Sequence, residues 1–255
     1  SPTLEYVNQN VTIAGSVEMI NRTLILGREM DVVWGGNLSL ENVTLIFDPA
    51  EVASTGMYAS DGGRLEAEGC TFLNAWSPRP TQSFGYPVTA RAGSVMSLRN
   101  CTLVSPMSVQ VYTGFFSAGG TDIVHATADA LRVEETMFSP GPISVELSRG
   151  GLSISNCVAD LADCRMDNVL GSGLTAYGSI LSARNLTVRN AGYGAFAYGS
   201  DIEMSNSAIA SCGNGYISSA SHNLLIGTRI EYSGYTRVQL YGANNRLDGC
   251  GVLDN

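Results

Sequence analysis

The sequence predicts an all-β chain wound as a right-handed parallel β-helix, a solenoid of about ten coils with three short strands in each. Two observations carry this. One short motif recurs along nearly the whole chain: an apolar residue, a spacer, a second apolar residue, a spacer, a turn residue and a short apolar run. An aromatic residue followed by glycine recurs eight positions ahead of several turn residues and holds the register.

The motif reads LSLENVTLI at 38–46, LEAEGCTFL at 65–73, MSLRNCTLV at 96–104, LSISNCVAD at 152–160, LSARNLTVR at 181–189 and IEMSNSAIA at 202–210. VEMINRTLI (17–25), LRVEETMFS (131–139), NLLIGTRIE (223–231) and NRLDGCGVL (245–253) are weaker copies. The turn slot holds Asn21, Asn42, Gly69, Asn100, Glu135, Asn156, Asn185, Asn206, Gly227 and Gly249. All but Glu135 are residues that accept left-handed backbone angles. The slots lie 21 or 22 residues apart in the regular C-terminal part and 27 to 35 apart in the middle. The aromatic markers are Trp34, Tyr177, Tyr198 and Tyr241.

The runs around each slot alternate with period two and are rich in apolar and β-branched residues, so they read as strands. No coil of three short strands can bury its inner face alone. Stacking coils about 4.8 Å apart makes a continuous core. An asparagine in the slot takes the left-handed bend, and its amide is expected to point inward and bond to the asparagine above. The expected ladder is Asn21, Asn42, Asn100, Asn156, Asn185 and Asn206.

These motifs resemble the pectate-lyase-like β-helix superfamily, whose coils carry such a ladder between their second and third strands. They also resemble the β-helix repeats of archaeal surface-layer and sheath proteins. The resemblance covers roughly residues 17–253. It implies a fold rather than an activity, because this fold hosts many unrelated functions. The whole of 1–255 reads as one domain, with loop excursions expected at 47–57, 74–88, 105–123 and 159–172.

Composition narrows the function classes. All 14 basic residues are arginine against 23 acids, giving a net charge of −9 that repels nucleic acid and anionic membrane surfaces. No apolar run approaches the ~18 residues of a membrane span. The opening Ser1-Pro2-Thr3 fits a processed or trimmed chain and, with the sequons, an expectation of secretion to the cell surface. Cys70, Cys101, Cys157, Cys164, Cys212 and Cys250 contain no CxxC pair, and with only His125 and His222 the usual zinc spacings are excluded.

The densest acidic stretch, ADLADCRMDN, places Asp160, Asp163 and Asp167 beside Arg165. As a site it could hold Ca²⁺, with Arg165 as base or charge stabiliser in polysaccharide cleavage. As plain structure it is a solvated acidic loop. Beyond that possible Ca²⁺ no cofactor is expected, and with nucleophile motifs of the G-x-S-x-G type absent catalysis stays the alternative. Tyr193, Tyr216 and Tyr235 precede first strands and are the candidates for surface aromatics that stack on sugar rings. Tyr177, Tyr198 and Tyr241 instead read as a stack beside glycine turns.

Cys70, Cys101, Cys157 and Cys250 follow the slot directly and are expected to pack as thiols. Cys164 and Cys212 fall off that register and are the expected disulfide formers, within the chain or between subunits. Of six sequons, those at Asn21, Asn42, Asn100 and Asn185 coincide with the slot and read as by-products of the repeat. Asn10 and Asn37 remain glycosylation candidates. Strand-like sequence runs close to both ends without an amphipathic helix to cap it. The expected role is therefore a structural subunit of a sheath, surface layer or filament, self-associating into a homopolymer through coil ends and loops. The alternative is a carbohydrate-binding or polysaccharide-cleaving β-helix.

Overall fold

The computed structural model describes residues 4–48, 55–75, 85–219, 222–231, 233–242 and 244–253. Among these residues there is no helix, and every strand pairing is parallel. The chain forms a β-solenoid of about eleven turns, the right-handed parallel β-helix predicted above. Each turn runs along three faces in order. Face 1 holds eleven strands, from Val11–Ile13 to Thr236–Leu240. Face 2 is a five-stranded sheet from Ser16–Ile20 to Phe115–Gly119, followed by a six-stranded sheet from Met137–Phe138 to Asn244–Asp248. Face 3 holds twelve strands, from Leu4–Val7 to Gly251–Leu253.

Strict alternation drives this winding. In Asn37–Glu41 the two leucines are buried and the polar residues face out, and Arg64–Glu68 and Val95–Arg99 stack on it in register with the same pattern. Burying one row per face turns three weak strands into one core. In the N-terminal half that core includes aromatic rings: Phe47 lies flat on Tyr86 at 4.0 Å between centroids, and Tyr86 Oη donates to the Phe72 carbonyl at 2.9 Å.

The corners are where sequence and structure diverge. Among the described residues, corners of all three kinds, not just one, are turned by left-handed residues. Between faces 2 and 3 these are Asn21, Asn42, Gly69, Asn100, Gly120, Asp163, Asn185, Asn206, Gly227 and Gly249. Between faces 1 and 2 they include Thr113, Glu135, Asn156, Gly178 and Gly199, and between faces 3 and 1 Ser105, His125, Leu147, Asn168, Asn190 and Ser211. Asn156 is therefore not a member of the expected ladder, nor Glu135 of the same turn slot; both stand one corner earlier. The 29 residues from Asn156 to Asn185 are one 22-residue coil plus one seven-residue side.

Two expected loops are also corrected. Residues 105–123 contain Pro106–Tyr112, Phe115–Gly119 and the start of Thr121–Val124, a full coil whose slot is Gly120. Residues 159–172 are the ordinary strands Val158–Ala162 and Arg165–Asp167 and the next corner. The excursions expected at 47–57 and 74–88 fall largely on 49–54 and 76–84, outside the described residues.

The ladder asparagines face out. Asn21, Asn42, Asn100, Asn156, Asn185 and Asn206 are all exposed, so the expected inward amide is wrong, and with it the reason for setting aside four sequons. The left-handed residue adds an extra outward position, and the residue after it turns into the core. The backbone ladder continues through these corners: the Asn42 N–H donates to the Glu68 carbonyl, and that of Asn156 to the Tyr177 carbonyl, both at 2.9 Å. The Asn42 and Asn100 side-chain oxygens lie over the glycines one coil on. A Cβ on Gly69 or Gly120 would come within 2.5 Å of them.

All six cysteines occupy one kind of position, the inward residue after a left-handed one: Gly69-Cys70, Asn100-Cys101, Asn156-Cys157, Asp163-Cys164, Ser211-Cys212 and Gly249-Cys250. Ser148, Ser179, Ser200, Ser207 and Thr228 fill equivalent corners. Thiol and hydroxyl alike donate to the carbonyl two residues back, as in Cys157 to Ser155 at 3.0 Å and Ser200 to Tyr198 at 3.0 Å. Cysteine here is a small apolar residue with a weak donor. Cys164 and Cys212 are free thiols in separate corners, so no disulfide joins them within the chain.

Candidate functional site

The best-furnished surface is the outer side of face 1 in its middle coils. Alternation buries Ala130, Leu131 and Val133 of Asp129–Glu134 and leaves Asp129, Arg132 and Glu134 on the outside. Arg132 pairs with Glu134 at 2.5 Å along the same strand. Beside them, where face 3 turns into face 1, a groove of about 490 Å³ is lined by Asp129, Arg149, Gly150, Leu170, Ser172 and Thr175. It stays open because position 150 has no side chain: a Cβ there would sit 2.3 Å from Asp129 Oδ1. Burial raises the Asp129 carboxyl above its ordinary value, and Arg132 and Arg149 offset that in part.

Further along the same face Thr175 pairs with Phe196 and Tyr177 with Tyr198. Phe196 packs against Tyr177 at 6.0 Å and edge-on against Tyr193 at 6.4 Å between ring centroids. An aromatic cluster, with Tyr177, Tyr193 and Tyr198 exposed, therefore continues the line of the groove along the rod. Such a strip presents ring faces and edges beside carboxylate and guanidinium groups, the chemistry that grips sugar rings and their hydroxyls.

The residues singled out from sequence lie elsewhere. Asp160 is on face 2 and pairs with Arg184 at 3.2 Å. Asp163 turns the next corner and accepts from Asn185 Nδ2 at 2.8 Å. Asp167 is on face 3, paired with Arg165 at 2.9 Å and accepting from Asn190 Nδ2 at 3.1 Å. The stretch is thus two strands and a corner rather than a loop, and its charges are dispersed over two faces. Among the described residues no group of three or more His, Cys, Asp or Glu could hold a metal. His125 turns a corner and His222 opens a face-2 strand.

Of the three surface tyrosines, Tyr193 and Tyr235 are exposed and Tyr216 is not. Tyr216 stands in register with Ala195 and Val238 on the inward row, donates to Asn223 Oδ1 at 2.6 Å, and burial pushes its phenol up. Asn10 is exposed, whereas Asn37 opens a strand half-buried with its side-chain oxygen unpaired. Sequence reasoning missed Asp129, Arg132, Arg149 and Phe196. They become visible only once the corner register is set, as outward positions of face 1 and, for Arg149, of the corner before it.

No protein-family model and no curated protein matches the chain. Among solved structures it is similar to tailspike protein 3 of bacteriophage CBA120, at 10% identity and a TM-score of 0.24. That match covers 94% of this chain and 52% of the tailspike, so the chain spans about half the tailspike's length. Among the described residues no helix is long and apolar enough to cross a membrane.

Proposed function

We propose that the chain is a rigid extracellular rod that binds a neutral polysaccharide along the outer side of face 1. The observation that carries this is the continuous line from the Asp129–Arg149 groove to the Tyr177, Tyr193, Phe196 and Tyr198 cluster. The net charge of −9 argues against a polyanionic ligand. A saccharide lying along the rod meets rings that stack on its apolar faces and charged groups that accept and donate to its hydroxyls.

Affinity electrophoresis through gels cast with mannan, laminarin or dextran tests this, with polygalacturonate as the anionic control. Retardation by at least one neutral polymer, lost in Phe196→Ala and Arg149→Ala, is the expected result. Unchanged mobility in every neutral gel, or retardation by polygalacturonate alone, would sink the reading.

A second reading, a structural subunit of a cell-surface assembly built from copies of this chain, is favoured by a separate feature. Face 2 carries an exposed apolar stripe that the saccharide surface does not use.

A further inference from the structure

Cys70 and Cys101 stand in the same corner of two successive coils. Thr71 pairs with Thr102 in register, and the Thr102 N–H donates to the Cys70 carbonyl at 2.9 Å. The other four cysteines have no such neighbour. In the coil after Cys157 the same place holds Ser179, and after Cys164 it holds Leu186; Ala191 precedes Cys212 there, and Thr228 precedes Cys250.

The two side chains also share one orientation. The Cys70 thiol lies 3.3 Å from the Glu68 carbonyl of its own coil and 3.4 Å from the Leu40 carbonyl of the coil before. The Cys101 thiol repeats this with Arg99 at 3.2 Å and Ala67 at 3.5 Å, and Leu40 and Ala67 are register partners. Contacts repeated one coil on set the sulfurs about one coil spacing apart along the rod, ~4.8 Å. Both thiols are free and buried, and each is within hydrogen-bonding reach of the other.

That arrangement suits one kind of bond and not another. A disulfide needs sulfurs about 2.05 Å apart and a dihedral of about 90°, whereas level, parallel side chains hold the dihedral close to eclipsed. A two-coordinate metal needs level, parallel thiolates, with the ion midway along the line between the sulfurs. Two metal–thiolate bonds of ~2.3 Å placed end to end span ~4.6 Å, close to the coil spacing.

We propose that Cys70 and Cys101 form a linear two-coordinate site for a soft monovalent cation, Cu(I). Thiolates select Cu(I) over harder ions, and Cu(I) is satisfied by two of them. Among the described residues no group of three or more His, Cys, Asp or Glu gathers here, whereas a structural zinc would need four ligands. Binding replaces each S–H bond by an S–Cu bond, releases two protons and leaves one net negative charge. Backbone groups of Asn42, Val43 and Glu68 at Cys70, and of Cys70 and Arg99 at Cys101, bond to the sulfurs in the sense that favours thiolate. The sulfurs lie one residue beneath the exposed Gly69 and Asn100, so a local opening of the corner admits the ion.

Anaerobic loading of the reduced chain with Cu(I), in competition with a chromophoric Cu(I) chelator, tests this. The wild-type chain is expected to keep one Cu(I), with an X-ray absorption spectrum of two sulfur ligands. Cys70→Ser and Cys101→Ser should each lose it, and Cys164→Ser should retain it. Serine already fills equivalent corners at Ser179 and Ser200, so these variants keep the fold, which circular dichroism checks. A wild-type chain that yields all its copper to the chelator overturns the proposal. So does copper retained by either Cys70→Ser or Cys101→Ser, or a spectrum with three or more ligands. A Cys70–Cys101 disulfide in protein purified without reductant also overturns it, because the sulfurs would then close to bonding distance.

Discussion

The N-terminal and C-terminal coils solve the same winding problem in different ways. In the first coils the turn from face 1 to face 2 uses two left-handed residues, as in Asp61-Gly62 and Ala92-Gly93, and slots 21 to 31 residues apart carry insertions. Their interior takes the Phe47, Phe72 and Tyr86 rings. From Glu135 on, a single left-handed residue turns each regular corner, and coils keep to 21 or 22 residues. There the inner row opening face 1 is glycine: Gly151, Gly173, Gly194 and Gly215. A Cβ on Gly173 would sit 2.3 Å from Val188 Cγ1, and one on Gly194 2.2 Å from Ile209 Cγ2. Tight coils leave no room for a side chain where face 1 approaches face 3; the wider coils use that room for rings.

Glycine substitution should break the comparison most sharply. Gly194→Ala meets Ile209 and the Gly215 carbonyl and is expected to cost roughly 3 kcal/mol. Gly93→Ala meets nothing within 4 Å, and its φ of +73° alone costs about 1–2 kcal/mol. Urea midpoints of the two variants decide this, and equal losses would mean the halves are packed alike.

Alkaline pH gives an effect nearly as large, located in the C-terminal half. Burial raises the Cys164 thiol from 9.0 to about 11. The unfolded chain therefore gives up that proton first. Stability is intact below pH 9 and falls as pH climbs through the folded value, by about 2–3 kcal/mol at 1.36 kcal/mol per unit. Denaturation at a series of pH values should show this slope, reduced in Cys164→Ser. In the N-terminal half Cys70 and Cys101 share a hydrogen bond, which with burial holds Cys101 protonated.

The smallest perturbation is chemical labelling. Five cysteines are buried and Cys250 is half-buried. Titration of the native chain with an aromatic disulfide reagent should consume one thiol quickly and the rest only in denaturant. A count below six after unfolding would show that a disulfide had formed after all.

The fold was legible because alternation and the 21- or 22-residue period are imposed by stacking itself. The corner assignment was not, because all three corners obey the same local rule of an outward spacer, a left-handed residue and a small inward one. LSISNCVAD and LSARNLTVR look alike for that reason, yet Asn156 and Asn185 sit in different corners. Only spacing separates them. The missed coil at 105–123 had its signal in Phe116, Ala118 and Gly120, read as a loop because its slot lacked asparagine. Tyr216 failed similarly, since a tyrosine two residues into a face-1 strand points in while Tyr193, at the start of its own, points out. The groove residues were illegible because an outward charge looks like any solvated charge until its neighbours one coil away are known.

The backbone ladder that runs through the corners has a mechanical consequence. A pull on the two ends of the chain cannot shear the stack at one weak turn, because the turns are bonded like the strands. It must instead peel one coil at a time. Each coil of 21 or 22 residues would release about 70 Å of chain, giving a regular staircase in a single-molecule stretching trace. The steps would be even where the corners repeat and uneven where they do not.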